Sequence, residues 1–206
     1  MELYVAWIGF VGAIVGAIVG GFLAGHYSRQ ATKDLLDEER ENRKIEKKER
    51  VKSLLCAIDS EIRNVWDHYM ETIGKRIEEL PDNQAFRFYV PIIGDYFPVY
   101  HGNVNSLGLV IDDTLRHKII STYNLAKSLV DTYKLNNQLN KERDTASDQL
   151  TYTNSSQANR VLQMKEQSLV AYGPMVKAFH LKTKKAIEEL LGMLDKVIRI
   201  TDQAGG

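Results

Sequence analysis

The residues best suited to do chemistry are few and dispersed. Five histidines, His26, His68, His101, His117 and His180, are scattered along the chain, and the densest polar group is Asp112 and Asp113 followed by Arg116 and His117. Spacings of three and four would put a carboxylate beside a base on one helix face, as general acid–base catalysis requires. The same order of residues also makes an acidic first helical turn with a local ion pair, which needs no chemistry to explain it. His101 beside Gly102 has no acid or nucleophile at a recognisable spacing. The phosphate-cradling Gly-x-x-x-x-Gly-Lys-Ser/Thr, the zinc-binding His-Glu-x-x-His, Gly-x-Ser-x-Gly, Gly-x-Gly-x-x-Gly and an EF-hand loop are all missing. The expectation is a non-enzymatic chain with no catalytic residue, no metal site, no cofactor and no small-molecule substrate.

Charge and cysteine content narrow the remaining classes. With 27 Lys+Arg against 27 Asp+Glu, the chain as a whole has no bias towards nucleic acid or acidic partners, so any such role is local. The most basic tract lies between Asn159 and Arg199, where bases outnumber acids eight to four. Within it Lys182, Lys184 and Lys185, close to His180, are the candidate contacts to phosphate, in a nucleic acid or an anionic lipid. The competing reading is a solvated helix face. The one cysteine, Cys56, rules out an internal disulfide framework, fits a reducing compartment and reads as a small core residue near Leu55, Ile58 and Ile62.

The elements that must carry these residues begin with an apolar run. No charged residue occurs from Leu3 to Gly25, and at ~1.5 Å per residue a helix of that length crosses a hydrocarbon layer of about 30 Å. Met1 and Glu2 supply no positive n-region and the run is too long for a signal peptide, so an uncleaved anchor is expected. Arg29 and Lys33 follow the run and nothing positive precedes it, which places the N-terminus outside and the rest in the cytoplasm. Inside the run Gly12, Gly16 and Gly20 recur every fourth residue beside a second small row of Ala13, Ala17 and Gly21. Small residues at that spacing let membrane helices approach closely, so a homo-oligomer packed through this face is expected.

Residues 29 to 53 are dominated by interleaved charge, with Glu39/Arg43 and Glu46/Arg50 at i,i+4, and read as a solvated helical stalk. From Val51 the apolar residues Leu55, Ile58, Ile62, Val65, Tyr69, Ile73, Ile77 and Leu80 advance in steps of three and four, the seam of a bundle, which Pro81 ends. The connector 81–105 concentrates aromatics, prolines and glycines. Its rings either fold over one end of the bundle or, through Tyr96, Phe97 and Tyr100, dock a partner. A helical tract opens near Ser106, residues 145–157 read as a loop or frayed helix ends, and a last tract from Ala158 is expected to bend or restart at Gly173-Pro174. The fold class expected is all-α: a transmembrane anchor (1–27), a charged stalk and coiled-coil-like helix (28–80), an aromatic connector (81–105) and an antiparallel helical hairpin (106–206) packed on the first helix.

This layout, with Tyr96-Phe-Pro-Val-Tyr-His-Gly-Asn103 followed by Leu107-Gly-Leu-Val-Ile-Asp-Asp113, resembles small membrane effectors of bacterial anti-phage systems, in particular those that accompany the reverse transcriptase of retrons. The resemblance implies an inner-membrane protein, abortive infection by membrane damage, and a reverse transcriptase with its RNA–DNA product as partners. Some members of that family have two spans, where this chain has one candidate. The alternative is an inert tether or scaffold that recruits a cytosolic partner.

Overall fold

The computed structural model describes the backbone of residues 2–203 apart from Ile93, and the side chains from residue 30 onward apart from 31, 93, 201 and 202. Among these residues the secondary structure is helical, with no strand. The elements in order are α1 (Glu2–Tyr69), a π-helical turn (Met70–Gly74), α2 (Lys75–Glu78), α3 (Pro98–Asn103), a 3-10 turn (Val104–Leu109), α4 (Asp113–Thr153) and α5 (Ser156–Gln203). The chain divides into two compact units, Met1–Arg50 and Val51–Gly206.

In the first unit the described side chains from residue 32 to residue 50 are exposed. They are laced by Asp37–Arg40, Glu39–Arg43 and Glu41–Lys44 ion pairs one turn apart. Glu39–Arg43 is the i,i+4 pair expected from sequence, whereas Glu46 and Arg50 form none. Exposed pairs of this kind contribute about 0.2–0.5 kcal/mol each, enough to favour the helix and too little to fold it. No helix among the described residues is long and apolar enough to cross a membrane. The expected span Leu3–Gly25, with Gly12, Gly16, Gly20, Ala13, Ala17 and Gly21, lies outside the residues whose side chains are described.

The second unit is built on the seam. Leu54, Leu55, Ile58 and Ile62 of α1 meet Leu115, Ile119 and Tyr123 of α4 and Ile187, Leu190 and Leu194 of α5, with Leu107 and Val110 covering one end. A second cluster joins Ile77, Phe86, Val90, Leu129, Tyr133 and Val176. Each fully buried aliphatic side chain contributes about 1.5–3 kcal/mol. Between the clusters the seam crosses the π-turn, where Gly74 is covered so closely that a Cβ would stand 2.4 Å from the Met70 sulfur. Cys56 is half-buried and reduced.

Helices α4 and α5 form the antiparallel hairpin, and the structure corrects its boundaries. The polar stretch expected as a loop is helical up to Thr153. The turn is confined to Asn154, in the left-handed region at φ 45°, and Ser155. The Asn154 amide donates to the Leu150 carbonyl at 2.8 Å, and the Ser155 hydroxyl accepts the Ala158 amide at 3.1 Å, so both helix ends are capped. Lys165–Glu142 and Arg143–Glu166 ion pairs cross the hairpin where the apolar stripe thins out. Nor does α5 restart at Pro174, which sits inside a continuous helix. Gly173 has a different use: a Cβ there would lie 2.0 Å from the Gln84 carbonyl oxygen, so only glycine lets the connector rest on α5.

The connector is also less irregular than expected, because Pro98–Asn103 and Val104–Leu109 are helical turns. Pro98 presets the first turn of α3. The amides of Val99 and Tyr100 donate to the Glu61 carboxylate at 2.6 and 3.1 Å, which satisfies two of the unpaired donors at that helix start. The part that stays extended, around residues 86 to 90, is clamped by asparagines of α4. Asn137 accepts from the Val90 amide at 2.9 Å and donates to the Val90 carbonyl at 2.7 Å, while Asn136 and Asn140 donate to the carbonyls of Phe88 and Phe86.

Candidate functional site

The feature most able to hold something is a cavity of ≈820 Å³ in the second unit. Its walls come from the last turns of α1 and the π-turn (Trp66, Tyr69, Ile73), from the connector (Phe88, Ile92, Phe97) and from α4 (Ala126, Leu129, Val130). Three elements therefore meet at the cavity. Ile73 of the π-turn, Phe88 and Ile92 of the connector that the α4 asparagines hold, and the small Ala126 of α4 border the space. Single π-turns inside helices recur at functional sites. The volume lies within the roughly 300–1,000 Å³ common for small-molecule sites.

The interior of the cavity is apolar and its hydroxyls are already engaged. Tyr123 donates to Glu61 at 2.7 Å, Thr183 to the Phe179 carbonyl at 2.8 Å and Thr122 to the Ala186 carbonyl at 3.4 Å. Charge is confined to exposed residues, Glu71 and Arg76, with Asn64, His68 and Thr72 nearby. The Arg76 guanidinium lies 4.4 Å from the centroid of the Phe88 ring, a cation–π contact, and has no carboxylate partner among the described residues.

Beneath the cavity floor runs a chain of hydrogen bonds. The Tyr133 and Tyr69 hydroxyls are 2.6 Å apart, and the Tyr69 hydroxyl lies 2.7 Å from Nδ1 of His180. Nε2 of His180 lies 3.2 Å from the Glu78 carboxylate, which also accepts from Lys184 at 2.6 Å. One assignment satisfies every member: Tyr133 donates to Tyr69, Tyr69 to Nδ1, and Nε2 to Glu78. Burial holds both phenols well above the ordinary tyrosine range. Burial likewise holds the His180 imidazole below its usual value, against the opposing pull of Glu78. Lys184 and then His180 hold the Glu78 carboxyl low.

The residues singled out from sequence are distributed differently. Asp112 caps α4, accepting the amides of Thr114 and Leu115 at 2.8 and 3.1 Å, and Asp113 pairs with Arg116, so this group is an acidic first turn. His101 pairs with Asp95 at the surface. Phe97 and Tyr100 are brought together on Tyr123, the first edge-on at 5.1 Å and the second stacked at 3.8 Å, and both are half-buried. Tyr96 lines the cavity and donates to the Pro91 carbonyl at 3.3 Å. Lys182 and Lys185 are exposed on α5, but Lys184 is engaged by Glu78 and His180 is fully buried, so the basic run is not one patch. No group of three or more metal-ligating side chains is gathered among the described residues.

Sequence reasoning missed the cavity and the Tyr133–Tyr69–His180–Glu78 chain. The available signal for the chain was a histidine at an apolar-stripe position of α5, three residues before Thr183 and four before Lys184. Compared with family models, with curated proteins and with solved structures, the chain matches none.

Proposed function

We propose that the protein is a single-pass membrane effector of a bacterial antiviral defence, non-enzymatic, with its helical unit in the cytoplasm. The observation that carries this reading is the uncharged run Leu3 to Gly25 with Gly12, Gly16 and Gly20 on one face. In lipid, such a face favours self-association by close backbone packing, and assembly of several copies would breach the inner membrane. The retron-like layout adds a trigger: a reverse transcriptase and its RNA–DNA product hold the helical unit, and their loss releases it. Exposed Lys182 and Lys185 are the phosphate contacts this reading would use. The test is to express the chain and follow growth and membrane potential, with Gly16→Leu and Gly20→Leu as packing variants. Collapse of the potential that both variants relieve is the expected result; unchanged toxicity in the variants removes the packing mechanism. Absence of the wild-type chain from the membrane fraction removes the anchor as well.

A further inference from the structure

The cavity between α1, the connector and α4 has a chemistry of its own that the effector reading does not use. We propose that it binds a single-chain anionic amphiphile of the fatty-acid class, with the hydrocarbon chain among Trp66, Tyr69, Ile73, Phe88, Leu129 and Val130 and the carboxylate at Arg76.

Two observations select this ligand, and one works against it. The interior hydroxyls of Tyr69, Tyr123, Thr122 and Thr183 all have partners, so nothing deep in the cavity calls for a polar ligand group. A hydrocarbon body removes apolar wall and apolar ligand from water together, at roughly 25 cal/mol per Å². The rim then decides the head group. Arg76 has no carboxylate partner among the described residues and is fixed over the Phe88 ring, so a ligand carboxylate completes it without displacing an ion pair among them. Glu71 is the one carboxylate among the described lining residues, and its charge opposes such a head group. A cationic amphiphile would be drawn to Glu71 but would have to sit against the Arg76 guanidinium, which is the charge fixed in place over Phe88.

The ligand also has a reporter in place. The chain contains two tryptophans, and Trp66 lines the cavity, so a Trp7→Phe variant leaves Trp66 as the only indole. Full-length Trp7→Phe protein in phosphatidylcholine nanodiscs is titrated with free dibromostearate, whose bromines quench an indole on contact. The expected result is saturable quenching at one equivalent per chain, above the response of empty nanodiscs. Oleate should compete, and oleyl alcohol should compete about ten-fold more weakly.

Ala126→Phe fills the space between connector and α4 and should abolish the saturable phase. Arg76→Ala, at an exposed position that leaves the core intact, should weaken binding by about ten-fold, and Glu71→Gln should tighten it a few-fold. Non-saturable quenching, an Arg76→Ala affinity equal to the parent, or equal competition by oleyl alcohol would overturn the proposal. So would quenching by brominated phosphatidylcholine in the disc that free oleate does not relieve, because the occupant would then be a membrane lipid.

Discussion

Nδ1 of His180 on α5 and the hydroxyl of Tyr69, the last residue of α1, meet at 2.7 Å, and the histidine has no exposure to water at all. Tyr69 can donate to that nitrogen only while the imidazole is neutral, so the contact ties the fold to pH. The imidazole's folded value is depressed below 6.5, so the unfolded chain binds the extra proton more readily than the folded one. Stability therefore falls as pH drops below about 6.5 and goes on falling until the folded imidazole is itself protonated. Glu78, held below 4.5, acts in a lower window. Urea midpoints measured at pH 7 and pH 5 are expected to drop in the wild type and to drop less in His180→Gln. An equal drop in both would remove His180 as the cause.

Glu61 holds three donors at once, the amides of Val99 and Tyr100 and the Tyr123 hydroxyl. Replacing it with alanine leaves a buried phenol and a helix start without an acceptor. Glu61→Ala should cost about 2–4 kcal/mol. Hydrogen exchange should show amides 99 and 100 opening before those of α4. Uniform loss of protection across the unit would contradict the local role.

The Gly173–Gln84 approach makes a sharper test of packing, because nothing polar is altered. A methyl at position 173 has no room without moving the connector backbone. Gly173→Ala should destabilise by about 1–3 kcal/mol, although alanine is the better helix former. A stabilised Gly173→Ala protein would mean that the connector does not rest there.

Asn137 offers both halves of its amide to Val90. Asn137→Leu keeps the branching of the side chain, though not its volume, and loses both bonds, with an expected cost of about 1–3 kcal/mol read from the denaturant midpoint. Exposed Asn124→Leu on the same helix serves as the control and should move it by less than about 0.5 kcal/mol.

The parts of this fold legible in sequence are those set by local period. Leu55, Ile58 and Ile62 announce the seam by steps of three and four, and they are buried as a seam should be. Three features escaped because their cause lies far along the chain. The helical turn at Pro98 depends on a carboxylate at position 61. The asparagines at 136, 137 and 140 resemble the fading end of a helix until an extended segment is laid against them. Residues 145 to 153 bury only Ala146, and the ion pairs that tie this end of α4 to α5 come just before them, at Glu142 and Arg143, so no apolar stripe marks the stretch as helix. His180 was grouped with neighbouring lysines by proximity in sequence, whereas on a helix it points a different way from Lys182.

The asparagine clamp on residues 86 to 90 has one more consequence. Phe86-Arg-Phe-Tyr-Val90 is rich in aromatic and β-branched residues, the composition of a segment that recruits other chains into cross-β stacks. In this protein its main-chain groups at Phe86, Phe88 and Val90 are engaged by side chains of a helix. The helix thus acts as a chaperone for a strand that never finds a sheet. Lifted from α4, the segment would present unpaired main-chain groups, which the three asparagines keep engaged in the fold.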